Sequence, residues 1–128
     1  METKEKLKKS VWEKGLKVSG FDPKKIRKDA CGAWIAWDKY EDLRSPFGWQ
    51  IDHIYPEARL KLRHLDKKLI DKIDNLRPFH WRNNEIKGTD YPIYCSAIKA
   101  NGNHNEEVND TYEVNKDVQL SLKQLYEL

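Results

Sequence analysis

Scarcity frames this chain of 128 residues before any motif does. It has only two cysteines, Cys31 and Cys95, too few and too far apart for a four-cysteine zinc knuckle. In a reducing compartment the default reading is two free, buried thiols. No run of 18 apolar residues occurs, so no membrane-spanning helix is expected. The start, METKEKLKKS, carries no apolar h-region, and the expectation is a cytoplasmic protein without a signal peptide. Internal repeats and low-complexity tracts are absent as well. What remains is one domain over residues 1–128, a length that buries roughly two-thirds of its unfolded surface without covalent staples.

Bulk is plentiful. Five Trp, six Tyr and three Phe supply a core, and Trp12, Trp34, Trp37, Trp49 and Trp81 read as core rather than as platforms for stacking bases. Charge is uneven. Residues 1–29 hold ten Lys/Arg against five Asp/Glu, whereas residues 101–128 hold two against six. The basic end, with Lys24, Lys25, Arg27 and Lys28, suits phosphate contact as well as a solvated face.

Periodicity predicts an α+β arrangement. Residues 4–18 read as an amphipathic helix ended by Ser19-Gly20, and Asp22-Pro23 as a cap opening a short basic turn through Arg27. "ACGAWIAW", 30–37, reads as a strand. Ser45–Gly48 form a turn, after which Trp49, Ile51 and His53 alternate with Gln50 and Asp52 as in a second strand. Residues 58–73 predict an exposed amphipathic helix, 79–87 a helix stopped by Gly88, Asn101-Gly102 a turn, and 117–128 a terminal helix.

The charged pair Asp52-His53 interrupts an otherwise apolar strand. Downstream, "FHWRNNEIKG" places His80, Asn84 and Lys87 on one helical face, by spacings of four and three. Such residues suit phosphodiester hydrolysis, which needs a deprotonated water, a divalent cation and a cationic clamp. Neutral histidine serves as a base near pH 7, since its free pKa is about 6.5. Oxygen ligands from Asp52 and Asn84 suit Mg²⁺, and Lys87 would meet phosphate as a point charge. Successive strand residues point to opposite faces, so Asp52 and His53 can serve one site only where the strand twists or ends.

"IDHIYP", "IDNLRP" and "NNEIKG", in that order and with nine residues from Asn75 to Asn84, resemble the HNH nuclease motif. The resemblance covers residues 11–89. It implies a ββα-metal unit over about 47–89, built from a two-stranded hairpin and one helix around a single divalent ion, Mg²⁺ or Mn²⁺. It further implies that Asp52 and Asn84 bind the metal, that His53 activates water, and that Asn75, counted with His53 in the catalytic set, ties the loop between strand and helix. His80 and Lys87 are candidates for the substrate side, with packing as the other reading of His80 and a solvated lysine at the helix C-terminus as the other reading of Lys87. Many HNH sequences carry paired cysteines where His80 and Asn83 stand here, so no structural zinc is expected. The family's Gly-rich loop is replaced by the insertion at 57–72, and residues 90–128 lie outside the likeness.

The functional expectation is a Mg²⁺-dependent DNA endonuclease whose products carry a 5′-phosphate, with a homodimer as one route to double-strand cleavage. Two rivals stand beside it: a DNA-binding or assembly protein that keeps the scaffold without cutting, and an RNase, since nothing in the sequence reads the 2′-hydroxyl.

Overall fold

The computed structural model describes residues 3–128 and has the α+β composition expected, with five helices and four two-stranded antiparallel sheets among the described residues. Helix α1 (Lys4–Trp12) starts where the Thr3 side chain accepts from the Lys6 N–H and buries Val11 and Trp12. It stops six residues short of the expected 18. Past Gly15 the chain is extended, and Leu16 exchanges two backbone hydrogen bonds with Lys28 at 2.8 and 3.0 Å. Strand β1 (Ile26–Lys28) then pairs with β2 (Trp34–Ala36), which lies inside the stretch predicted as strand.

The central pair is β3 (Trp49–His53) against β4 (Leu76–His80), with Asp52 opposite Arg77 and His53 opposite Leu76. Gly48 has to be glycine, because a Cβ there would lie 2.0 Å from the Asp42 carbonyl oxygen. Between the strands the single helix expected over 58–73 is two, α2 (Glu57–Leu62) and α3 (Lys67–Ile70). His64 adopts φ +59°, and Asp66 caps α3 by accepting from the Leu69 N–H at 3.0 Å. A side chain that captures a backbone N–H in this way favours a new helix start over continuation of the old one.

Helix α4 (Trp81–Lys87) follows β4 without a loop. It starts two residues later than the sequence predicts because Phe79 and His80 still pair with Gln50 and Trp49. Gly88, at φ +54°, ends it as expected.

Two hydrophobic clusters are formed. Val11, Trp12, Ile35, Trp49 and Leu76 make one, and Phe79 joins Ile54, Leu60, Tyr94, Leu122 and Tyr126 in the other. The second cluster shows what residues 90–128 do for the fold: they complete its core. There β5 (Ile93–Cys95) pairs with β8 (Thr111–Glu113), and β6 (Ile98–Asn101) and β7 (His104–Glu107) form a hairpin around the expected Asn101-Gly102 turn. Helix α5 (Lys116–Tyr126) buries Leu122 and Tyr126, and the Tyr126 hydroxyl donates to the Leu69 and Ile70 carbonyls at 2.8 and 3.1 Å. Both cysteines are free, but only Cys31 is buried and Cys95 is exposed. Among the described residues no helix is long and apolar enough to cross a membrane.

Candidate functional site

Strand β3 runs in register with β4 through Asp52 and His53, and the Ile54 N–H carries the ladder one step further onto the Asn75 carbonyl at 2.8 Å. The strand is thus regular through the charged pair, contrary to the expectation that it would twist or end there, and the chain bends only past His53. Asp52 and His53 nonetheless both border one open cleft of about 200 Å³, together with Glu57 of α2 and Asn84 of α4. Asn84 and Lys87 share the face of α4 turned to β3, as their spacing predicts: Asn84 Nδ2 donates to Gln50 Oε1 at 3.0 Å and Lys87 Nζ to Asp52 Oδ1 at 3.3 Å.

His53 is held from the insertion. Its Nε2 lies 2.8 Å from Asp71 Oδ1, at the end of α3, and 3.8 Å from Glu57 Oε2. With the Nε2 proton directed at Asp71, Nδ1 is the nitrogen left to take a proton, and among the described residues no hydrogen bond reaches it. Burial pushes the Asp71 carboxyl upward, but hydrogen bonds from His53 and Lys67 outweigh it and hold the group below its usual range. Sequence reading missed Asp71 and Glu57. They lie 18 and four residues after His53 outside any shared helix, and only the break between α2 and α3 brings Asp71 back.

Asp52 is deeply engaged. The Arg77 Nε reaches its Oδ2 at 2.9 Å and Lys87 reaches its Oδ1, all three groups being buried. Burial pushes the Lys87 ammonium down, against the attraction of Asp52. Burial acts likewise on Arg77, but there the Asp52 charge prevails and the guanidinium is raised. Lys87 also donates to the His53 carbonyl at 3.2 Å, so it lies beneath the pair rather than at the surface where a phosphate contact was expected.

The remaining expected residues divide. Asn75 is fully buried and ties the loop, accepting from the Tyr55 N–H at 2.7 Å and donating to the Tyr55 carbonyl at 3.0 Å. It touches backbone, not the cleft. His80 is not on the Asn84 face. It ends β4 and caps α4, with Nδ1 accepting from the Arg82 N–H at 3.1 Å and Nε2 at 2.8 Å from the Pro46 carbonyl. Burial lowers its pKa, in keeping with a neutral ring whose two nitrogens are both taken, so it is withdrawn from substrate. Arg27 is buried too, and spends its guanidinium on the carbonyls of Pro23, Glu13 and Gly15 at 2.8–3.0 Å. Of the basic group, Lys24 and Lys25 are exposed, and Lys28 is half-buried with its ammonium 4.6 Å from the Trp34 ring centroid.

His80 and Asn83 meet on one carboxylate. Asp29 Oδ2 accepts from the His80 N–H at 3.0 Å and from Asn83 Nδ2 at 3.1 Å, while Oδ1 accepts from the N–H groups of Cys31 and Ala33, both at 2.9 Å. Four donors on one buried carboxylate fasten the start of α4 to the 29–33 turn.

The donor chemistry suits a divalent ion. Asn84 keeps its carbonyl oxygen free while its Nδ2 serves Gln50, and each Asp52 oxygen retains a lone pair beside its cation. These are hard oxygen donors of the kind Mg²⁺ takes. The fit carries a competition, because the Lys87 ammonium already occupies Asp52 Oδ1. A second, mixed set stands alongside: His53, Glu57 and Asp71 offer ligand atoms all within 4.8 Å of one another. In comparisons with known proteins, no family model, no curated protein and no solved structure matches the chain.

Proposed function

We propose that this protein is a divalent-metal-dependent DNA endonuclease of the HNH class. The observation that carries the proposal is the convergence of Asp52, His53 and Asn84, from the end of one strand and the face of a helix 31 residues further on, in a single open cleft. A binding module has no need of a base beside two oxygen ligands. His53 takes the proton of the attacking water at Nδ1, and Asp71 holds the ring at Nε2 and stabilises the imidazolium that results. Asp52 and Asn84 would hold Mg²⁺ or Mn²⁺, which when bound stabilises charge on the phosphate and the leaving oxygen. Arg77 and Lys87 fix the Asp52 carboxylate. Lys24, Lys25 and Lys28 remain candidates for the DNA backbone, and their contribution would fall steeply with salt. One such site cuts one strand, so double-strand cleavage would require a dimer or two visits.

The discriminating assay uses supercoiled plasmid and labelled RNA with Mg²⁺, with Mn²⁺, with EDTA and with His53→Ala. Metal-dependent nicking by the wild type that disappears with His53→Ala is the expected result. Nicking that persists in the variant would sink the mechanism, and cleavage of RNA alone would move the substrate class to RNA. One observation favours a non-cutting DNA-binding scaffold: both Asp52 oxygens are already ion-paired. Absence of cleavage with every divalent ion, together with retained DNA binding, would decide for it.

A further inference from the structure

His53, Glu57 and Asp71 come from three elements: the end of β3, the first turn of α2 and the C-cap of α3. Among the described residues they are the one set of three His, Cys, Asp or Glu side chains whose ligand atoms all lie within 4.8 Å of one another. Each carboxylate divides its two oxygens in the same way. Asp71 turns Oδ1 inward to His53 Nε2 at 2.8 Å and Oδ2 outward to Lys67 at 2.9 Å. Glu57 turns Oε2 inward, 3.8 Å from His53 Nε2, and Oε1 outward, 3.4 Å from Lys61. At 3.8 Å the inward Glu57 oxygen is too far from the ring to share a hydrogen bond.

We propose that these three side chains bind Zn²⁺, at a site distinct from the Asp52 and Asn84 oxygens, and that the bound ion silences His53. In a tetrahedral zinc site with bonds of about 2.0–2.1 Å, neighbouring ligand atoms stand about 3.3 Å apart. The separations of 2.8 and 3.8 Å bracket that edge. An ion between them replaces the hydrogen bond of His53 to Asp71 and draws Glu57 in, by side-chain rotation alone. The donor set selects the metal: an imidazole nitrogen suits zinc, whereas Mg²⁺ takes oxygen.

Access and charge agree. The side chains of His53, Asp71 and Glu57 are 22, 25 and 36% exposed, so an ion reaches them without opening the fold. His53 and Glu57 also line the open cleft, which leaves a fourth position for water. Lys61 and Lys67 do not stand in for the ion, because they hold only the outer oxygens and their side chains are 66 and 83% exposed, where ion pairs contribute little. In the zinc complex they are the outer partners that orient the two carboxylates.

A histidine ligand gives the metal the lone pair of the coordinating nitrogen. With Nε2 on zinc, the one proton of the neutral ring sits on Nδ1, the nitrogen assigned to the attacking water. Zinc is thus placed to inhibit cleavage by disarming the base, a consequence that rests on the nuclease reading. Zinc binding itself does not.

The test reads binding first. Zn²⁺ is titrated into the metal-free full chain against a chromophoric chelator, with thermal unfolding to show that each variant is folded. A Kd of about 10 μM or tighter is expected, with millimolar Mg²⁺ failing to displace the ion. His53→Ala, Glu57→Ala and Asp71→Asn should each weaken zinc by at least about tenfold, and Asn84→Ala should leave it unchanged. A weaker Kd, indifference to Glu57→Ala and Asp71→Asn, displacement by Mg²⁺, or zinc lost in Asn84→Ala would each overturn the site. In plasmid nicking supported by Mg²⁺, saturating zinc is expected to slow the wild type by about tenfold or more, and the ratio of rates with and without zinc should approach one in Glu57→Ala. Equal inhibition of both proteins would overturn the silencing. Zinc bound as described, with no plasmid cleavage under any ion, would leave the site standing and remove only the nuclease reading.

Discussion

Asp52 lies directly opposite Arg77 in the antiparallel register of β3 and β4, and its Oδ2 accepts from the guanidinium at 2.9 Å while Lys87 holds Oδ1 at 3.3 Å. One buried anion therefore answers two buried cations. Removing it strands both, and Asp52→Ala is expected to lower the unfolding free energy by about 3–5 kcal/mol in urea titrations. A loss below about 1 kcal/mol would mean that the three groups are less dry than their burial implies. The consequence for function is practical: loss of cleavage in Asp52→Ala is no proof of a metal ligand unless the variant is shown to be folded under the assay conditions.

The contact between His53 and Asp71 separates orientation from stability. Asp71 touches the ring nitrogen opposite the one assigned to water. Asp71→Asn keeps a side chain of the same shape but presents a different hydrogen-bonding partner to Nε2. Cleavage is expected to fall about 10- to 100-fold in kcat, with little change in KM. The unfolding free energy at neutral pH should fall by no more than about 1 kcal/mol, because the pair is partly exposed. An unchanged kcat would remove Asp71 from the mechanism.

The same carboxyl sets a pH dependence whose sign is fixed. Its pKa in the fold is below the ordinary 3.8, burial being outweighed by the hydrogen bonds from His53 and Lys67. The unfolded chain therefore binds the proton more readily. The stability this group contributes is fully present above pH 3.8 and is lost as pH falls through the lower folded value. Asp29 runs the other way: burial raises it above 3.8 despite its hydrogen bonds, so its contribution declines as pH rises through the folded value. Unfolding free energies of wild type and Asp71→Asn, compared from about pH 3 to 7, should diverge above the carboxylate range and converge below it. A constant gap would contradict the shift.

How much of this was legible in the sequence depended on whether a signal was local. Alternation placed β3, and the Asn84–Lys87 spacing placed their shared helix face, because each depends on a few consecutive residues. The insertion misled: leucines at helical spacing over 58–73 suggested one helix, while Asp66 captured a backbone N–H and split it. That split returns Asp71 to His53, a contact that no local pattern encodes. His80 and Arg27 misled differently. Both are polar residues read as facing solvent or substrate, yet each is buried on carbonyls from distant chain, Pro46 for one and Glu13 and Gly15 for the other. Polarity alone does not say whether a group meets water or backbone.

Residues 90–128 lie beyond the HNH likeness, yet they cannot be removed without dismantling what precedes them. Asn83 Oδ1 in α4 accepts from the N–H groups of Ala97 and Ile98, both at 2.8 Å, and Nδ2 donates to the Ile98 carbonyl at 3.1 Å. Tyr94, Leu122 and Tyr126 close the cluster around Phe79. A chain truncated after Asp90 would expose Phe79 and Leu60 and leave Asn83 short of three partners, each unmet buried group costing about 1–3 kcal/mol. Against a total stability of about 5–15 kcal/mol, those losses are decisive. The truncated chain is expected to show no cooperative thermal transition and to sediment on expression, whereas Asn83→Ala in the full chain should fold with a loss of about 3 kcal/mol or more. A soluble truncated chain that still nicks plasmid would show that residues 3–90 fold alone and that the extension serves another purpose.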